Sequence, residues 1–232
     1  FRDDTGFAVA GITAGANNVT LSSAGGTVTQ SAVISCAGLE LLGAGGTHTL
    51  NTQDNAVTTI AGSTGTVLFR DDTGFAVGTV NTAGLTTTGN TTFTTTGTVT
   101  QTAAVGAATL TLEGAGAVYT LGTAVSNAVT TLDANNSVLG TLIFRDDTGF
   151  AVAGITAGAN NVTLSSAGGT VTQSAVISCA TLILEGAGGI FTLGTQNNAV
   201  TTLDANNSVL GTLIFRDDTG FAVAGITAGA NN

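Results

Sequence analysis

The sequence predicts an all-β fold built as a parallel β-solenoid, and three observations support this prediction. First, the nonapeptide Phe-Arg-Asp-Asp-Thr-Gly-Phe-Ala-Val occurs four times, beginning at Phe1, Phe69, Phe144 and Phe215. Self-similarity at a long period is typical of stacked units that cover each other's hydrophobic faces. Second, Val, Thr, Gly and Asn are abundant and Pro is absent, which suits paired strands joined by tight turns. Third, no stretch shows a 3.6-residue apolar stripe, so helices are not expected.

The nonapeptide divides the 232 residues into three full copies and one partial copy. The four copies are 1–68, 69–143, 144–214 and 215–232. We expect one continuous solenoid over 1–232, because near-identical copies can stack on one another without a boundary. The second copy is three residues longer between Gly78 and Ala108, which predicts a bulging loop or a widened turn there. The chain starts without Met and stops within a repeat, which indicates an internal window of a longer protein.

Subrepeats predict about three coils in each copy of ~71 residues and roughly ten coils in the chain. Three segments of the third copy align on a turn glycine, and they are 162–169, 182–189 and 213–220. Their first and third residues are apolar, so we expect Val162, Leu182 and Leu213 to point inward and to stack. At ~4.8 Å between stacked strands the rod would be roughly 48 Å long.

The strand that follows the aligned turn has no single predicted register. The three segments at this position are 170–172, 190–192 and 221–223. They do not share one inward parity of apolar residues, so the sequence leaves their alignment open.

Charge excludes several classes of partner. The net charge is −10, there is no Lys, and the four positive side chains are Arg2, Arg70, Arg145 and Arg216 of the repeated motif. A basic surface for nucleic acid or anionic lipid is therefore not expected. No apolar run approaches the ~20 residues that a membrane-spanning helix needs. We expect no nucleic-acid partner and no membrane insertion.

Three runs of sequence carry a family resemblance. They are 25–35, 41–50 and 127–132, with the sequences GGTVTQSAVIS, LLGAGGTHTL and NAVTTL. These runs resemble the repeats of bacterial filamentous haemagglutinin-type proteins, which are large exoproteins exported by two-partner secretion. The resemblance implies a right-handed parallel β-helix shaft. It also implies an extracellular or cell-surface location and a role in adhesion, contact between cells, or biofilm and matrix formation.

The Arg-Asp-Asp-Thr-Gly cluster falls on the aligned turn. We interpret it as a solvated corner in which Asp caps the turn and Arg offsets the repulsion. The alternatives are a lateral filament contact or a Ca²⁺ site, whose weak candidate ligands are Asp3, Asp4, Asp71, Asp72, Asp146, Asp147, Asp217 and Asp218. Copies about three coils (~14 Å) apart cannot share one ion. A Ca²⁺ site would therefore need both Asp residues of one copy together with backbone carbonyls.

The remaining reactive side chains give no catalytic, cofactor or structural metal site. Cys36 and Cys179 occupy equivalent positions, and Ala107 takes that position in the second copy. At six coils, ~29 Å, they lie beyond disulfide reach, so we expect free thiols, either buried or exposed for pairing with another chain. His48 has no second ligand at metal-binding spacing, so we interpret it as a strand residue.

The predicted function is structural and non-enzymatic: a shaft segment of a filamentous adhesin that self-associates end to end or laterally. Exposed strands at solenoid ends favour end-to-end contact. One alternative is a polysaccharide-degrading β-helix, which would need a basic groove and clustered acid/base residues. The other is a surface-binding β-helix for ice or glycan. Thr-x-Thr triplets at 27–29, 47–49, 98–100, 109–111 and 170–172 suit ice binding, but in the sequence alignment they do not recur on every coil.

Overall fold

The computed structural model describes residues 1–122 and 125–229, and no described residue is helical. The strands are β1 (Gly6–Val9), β2 (Ile12–Ser22), β3 (Thr27–Gln30), β4 (Ile34–Leu50), β5 (Ala56–Arg70), β6 (Gly74–Val77), β7 (Leu85–Thr87), β8 (Asn90–Thr94), β9 (Thr98–Gln101), β10 (Val105–Glu113), β11 (Val118–Leu121), β12 (Ala128–Ala134), β13 (Leu142–Arg145), β14 (Gly149–Thr156), β15 (Asn161–Ser165), β16 (Thr170–Gln173), β17 (Ile177–Glu185), β18 (Ile190–Leu193), β19 (Ala199–Leu210), β20 (Thr212–Phe215) and β21 (Ala222–Ala228). Within the described ranges, no helix could cross a membrane.

The strands wind into a parallel β-solenoid of about 11 turns, which confirms the predicted fold class. Each turn contributes one strand segment to each of two walls. Wall A consists of β1, β3, 47–50, 66–70, β8, 109–113, 131–134, 149–152, β16, β18 and β20. Wall B consists of 18–22, 38–42, 59–61, β6, β9, β11, β13, β15, 181–185, 202–205 and β21.

The two walls face each other across a narrow hydrophobic core. The ring of Phe75 on wall B lies 5.0 Å from that of Phe69 and 5.1 Å from that of Phe93, both on wall A, in edge-to-face geometry. Phe144 and Phe150 make the same contact at 5.0 Å. Such aromatic pairs add about 0.5–1.5 kcal/mol beyond the area that they bury. The repeated Phe residues therefore join the walls at the corner where the motif turns.

One sequence copy occupies three and a half turns, which corrects the predicted three. Phe144 lies in β13 on wall B, and the strands from β13 to β20 alternate strictly between the walls. Phe215 in β20 is therefore seven half-turns further along the chain and lies on wall A. Because seven is odd, consecutive copies of the motif lie on opposite edges of the solenoid.

The odd number of half-turns also corrects the predicted stacking of Leu213. Val162 does pair with Leu182, and both are fully buried as predicted. Leu213 instead pairs with Phe191 on wall A and is only partly buried.

The register that the sequence left open follows from the same geometry. Val171 pairs with Phe191 on wall A, whereas Ala222 pairs with Thr202 on wall B. The segments 170–172 and 221–223 therefore belong to different walls, which explains why they share no inward parity.

The longer second copy forms the predicted loop, and this loop is a strap over wall B. The strap (residues 78–84) leaves the wall after Val77, and its neck is closed by Gly84 N donating to Gly78 O at 2.7 Å. It covers Ala61, which is fully buried, and its Asn81 and Thr82 reach Glu40 one turn further down.

Candidate functional sites

The Arg-Asp-Asp-Thr-Gly corner ties together three successive turns. In the third copy the Asp146 Oδ1 accepts from the Thr148 amide at 2.9 Å and from its hydroxyl at 2.6 Å. The other oxygen, Oδ2, accepts from the Val129 amide of the preceding turn at 2.6 Å. Asp147 accepts from the Ala167 amide of the following turn at 3.0 Å. The motif is thus a set of hydrogen bonds between turns as well as a cap for its own corner.

The first Asp of the motif is buried in the second and third copies, which corrects the expectation of a solvated corner there, whereas Asp3 and Asp217 of the terminal copies are half-buried. Asp71 and Asp146 have no exposed surface, and burial raises the pKa of Asp71. The second Asp is partly exposed and forms the ion pair, with Arg145 Nη2 2.6 Å from Asp147 Oδ2. The hydrogen bond from Arg145 lowers the pKa of Asp147. Surface pairs of this kind contribute about 0–1 kcal/mol.

The corner geometry gives a cation little to bind. Both oxygens of Asp146 already accept hydrogen bonds from backbone or hydroxyl donors. Copies on the same edge are seven turns apart, and consecutive copies lie on opposite edges. Among the described residues, no three His, Cys, Asp or Glu side chains lie close enough together to hold a metal ion. All eight candidate carboxylates (Asp3, Asp4, Asp71, Asp72, Asp146, Asp147, Asp217 and Asp218) belong to such corners.

Buried pairs of Gln and Asn side chains form hydrogen bonds between turns, and the sequence analysis did not predict them. The Asn198 Oδ1 accepts from Gln173 Nε2 at 2.8 Å and from the Ile177 amide at 2.9 Å. The Asn198 Nδ2 donates to the backbone carbonyls of Leu193 and Arg216, each at 3.0 Å. Equivalent clusters pair Gln30 with Asn55 and Gln101 with Asn127. The signal available in the sequence was this recurring Gln, followed 25 or 26 residues later by Asn-Ala-Val.

The two cysteines are buried free thiols on one edge, between walls A and B. Burial raises the pKa of Cys36 to about 11 and that of Cys179 to about 12. They are seven turns apart rather than the predicted six, which is ~34 Å at ~4.8 Å per turn. One copy spans an odd number of half-turns. Ala107, at the equivalent position one copy after Cys36, therefore lies on the opposite edge, and Cys179, two copies after Cys36, lies on the same edge. The protonated, buried thiols are poor nucleophiles.

His48 is a strand residue, as expected, and its side chain is fully buried in wall A between Val28 and Val67. Its Nδ1 lies 3.2 Å from Thr64 Oγ1, while Nε2 has no hydrogen-bond partner in the described chain. Burial lowers the pKa of His48 to about 4, so the ring is neutral at pH 7. Tyr119 occupies the equivalent position in the second copy and donates to the Phe93 carbonyl at 2.9 Å.

Glu40 holds the strap in place by hydrogen bonds. Nothing in the sequence linked Glu40 of the first copy to the longer segment of the second copy. Its Oε1 accepts from the Thr82 amide and hydroxyl, each at 2.9 Å. The Oε2 accepts from Asn81 Nδ2 at 2.8 Å and from Thr20 Oγ1 at 2.9 Å. Desolvation alone would raise the pKa of Glu40, but the bonds from Asn81, Thr20 and Thr82 outweigh it and lower the pKa.

Two rows of threonine run along the outer surface of wall A. The first row contains Thr27, Thr47, Thr66, Asn90 and Thr109, and the second contains Thr29, Thr49, Leu68, Thr92 and Thr111. Eight of these ten positions on five successive turns are therefore Thr. The sequence alignment hid this regularity because it placed segments from different walls in one column.

Comparison with known proteins adds no assignment: no family model, no curated protein and no solved structure matches this chain.

Proposed function

We propose that the chain is a structural, non-enzymatic segment of the shaft of a large secreted or cell-surface bacterial filament. Such a filament would mediate adhesion, contact between cells or matrix formation. The observation that supports it is the unbroken parallel pairing of about 11 turns around one continuous core. Repetition of this kind extends length without adding a new fold, because each turn needs only its neighbours.

The chemistry of the side chains supports a mechanical role. Each of the four Arg residues is paired with an Asp of its own corner. The one His and both Cys residues are buried, and the buried Gln–Asn clusters and Asp residues bond from one turn to the next. Polar groups in the interior thus strengthen contact between turns, which is the contact that a shaft under load depends on.

Electron microscopy of the 232-residue protein in negative stain tests the proposed shape. We expect rods of uniform width and roughly 53 Å length, since the solenoid has about 11 turns at ~4.8 Å per turn. Compact particles of equal dimensions would contradict the proposal. Sedimentation velocity on the same sample tests self-association, since end-to-end or lateral assembly would add faster species as concentration rises.

The adhesive role needs a cellular measurement. Bacteria that display the chain on a surface carrier should aggregate or attach to one another more than bacteria that display the carrier alone. A matched control is the same carrier with Gly149→Ala, which we expect to disrupt the corner of the third copy. Equal aggregation in all three strains would contradict a role in contact between cells.

A further inference from the structure

The threonine rows of wall A form a two-dimensional array with fixed spacings. Neighbours within a row are one turn apart, ~4.8 Å, and the two rows are two residues apart along the strand, ~6.7 Å. Thr is β-branched and stiff at χ1, so each side chain holds its methyl and hydroxyl groups in a restricted orientation. Parallel in-register strands repeat that arrangement from turn to turn.

The hydroxyl groups of these eight Thr residues are not used by the protein. None of them makes a hydrogen bond with another group in 1–122 or 125–229, and none is a buried unpaired atom. Threonines elsewhere do bond internally, as Thr20 does with Glu40 and Thr64 with the Gly43 carbonyl. The array therefore presents its hydroxyls to water.

The array is also neutral. None of its ten positions is charged, although the chain as a whole carries a net charge of −10. Arg70 and Glu113 stand at the next outward position along their strands, beyond the second row, and Asp133 follows Thr111 one turn above. Charge thus begins only at the borders of the array.

The size and composition of the array argue against a protein partner. Five turns of about four residues cover roughly 300 Å², whereas a stable protein interface needs about 800 Å² on each side. Binding hot spots are enriched in Trp, Tyr and Arg, and none of the ten positions holds one of these residues. A surface that is small, uncharged and periodic in two directions suits a ligand that is itself periodic.

We propose that this array binds ice. Hydroxyl groups at fixed spacings, with methyl groups between them, would order the water on this surface. That ordered water would then become part of the ice lattice at the crystal surface. Ordered water can bridge polar groups at little cost in free energy. This activity would exist beside the proposed shaft role and does not depend on it.

The test compares charge introduced on wall A with the same charge on wall B. The array variant is Thr49→Lys with Thr111→Lys, two positions of the second row that are three turns apart. The control is Thr100→Lys with Thr163→Lys, which occupy one outward row of wall B and are also three turns apart. Circular dichroism melting curves establish that both variants remain folded.

Thermal hysteresis and inhibition of ice recrystallisation are measured on the three 232-residue proteins. We expect both activities in the unmodified protein and the control, and their loss in the array variant. No activity in the unmodified protein, or equal loss in both variants, would overturn the proposal. A dimer detected by sedimentation that only the array variant disrupts, without ice activity, would overturn it in favour of a protein interface.

Discussion

The two walls of this solenoid have the same backbone, yet their outer surfaces use threonine in different ways. On wall A the hydroxyls of the threonine rows bond to nothing in the described protein, and the surface is bare. On wall B, Thr20 donates to Glu40, and so does Thr82 of the strap, which covers this part of the wall. A regular strand surface can therefore either remain open to solvent or be closed by a loop, without a change in the core.

The two walls also differ in how one buried polar side chain of each is paired. Behind the threonine rows, His48 leaves its Nε2 unpaired. Beneath the strap, Glu40 has four hydrogen bonds and only 2% exposure. An unpaired buried polar atom costs about 1–3 kcal/mol. The contribution of the hydrogen-bonded Glu40 and the cost of the unpaired His48 Nε2 can each be measured by mutation.

The largest expected effect tests whether the two edges that join the walls are equivalent. Gly149→Ala and Gly74→Ala replace glycines at φ +90° and +95° on opposite edges, where a Cβ would lie 2.4 and 2.3 Å from a backbone oxygen. We expect each to lower the free energy of unfolding by about 4 kcal/mol, because backbone strain and overlap combine.

Gly168→Ala is the matched control for these two glycines. Gly168 has φ +80°, but a Cβ there would meet nothing within 4 Å. We expect a cost of about 1 kcal/mol from the backbone conformation alone. Urea denaturation of the three variants gives the comparison, and equal costs at Gly149 and Gly168 would contradict the role of close approach.

The next effect concerns wall B. Glu40→Ala removes the acceptor for the Thr20, Asn81 and Thr82 donors, and we expect it to lower the free energy of unfolding by about 3 kcal/mol. Glu185→Ala is the control, because that carboxylate makes no side-chain hydrogen bond in the described ranges; its cost should stay below about 0.5 kcal/mol. Amide hydrogen exchange should also quicken at Thr82 in the Glu40 variant.

The acid response of wall A should depend on His48. The folded-state pKa of about 4 lies below the ordinary value of 6.5, so the unfolded chain binds more protons between these values and stability falls as pH is lowered from 6.5 to 4. His48→Phe introduces the residue found at the equivalent Phe191. The histidine protein should lose roughly 2 kcal/mol of its free energy of unfolding between pH 7 and pH 5, and we expect His48→Phe to remove this loss. Identical pH dependence in both proteins would contradict the assignment.

The smallest effect contrasts a threonine of wall A with a threonine of the strap over wall B. Thr49→Val removes a hydroxyl that makes no bond within the described protein, so the free energy of unfolding should change by less than about 0.5 kcal/mol. Thr82→Val removes a donor to Glu40 and should cost about 1 kcal/mol. Thermal melts at neutral pH measure both. A larger cost at Thr49 would mean that the open surface of wall A also contributes to stability.

Much of the fold was predictable because strand period and turn chemistry are local properties. The inward positions of Val162 and Leu182 follow from alternation along a strand, and the loop after Gly78 follows from the longer second copy. Leu213 was placed wrongly because the aligned turn glycines mark half-turns on either wall. Alternation along a strand is the same on both walls, so it cannot tell one wall from the other.

The candidate sites also divide into features set by local sequence and features set by the stacking of turns. The corner motif could be recognised in the sequence because it repeats. The burial of Asp146 could not, because it depends on the preceding turn, which supplies the Val129 amide. Glu40 and Asn81 are 41 residues apart, and only the strap brings them together. The threonine rows likewise needed the stacking register before they could be recognised.

By itself, the amino-acid sequence determined that this chain forms strands, that the strands repeat and that their alternate residues are buried. These properties arise from backbone conformation and hydrophobicity within a few residues. Only the tertiary structure decided that one copy spans seven half-turns, and hence which wall and which edge each copy occupies. The physical reason is that the circumference of a turn is set by packing across the core, which is a property of both walls together.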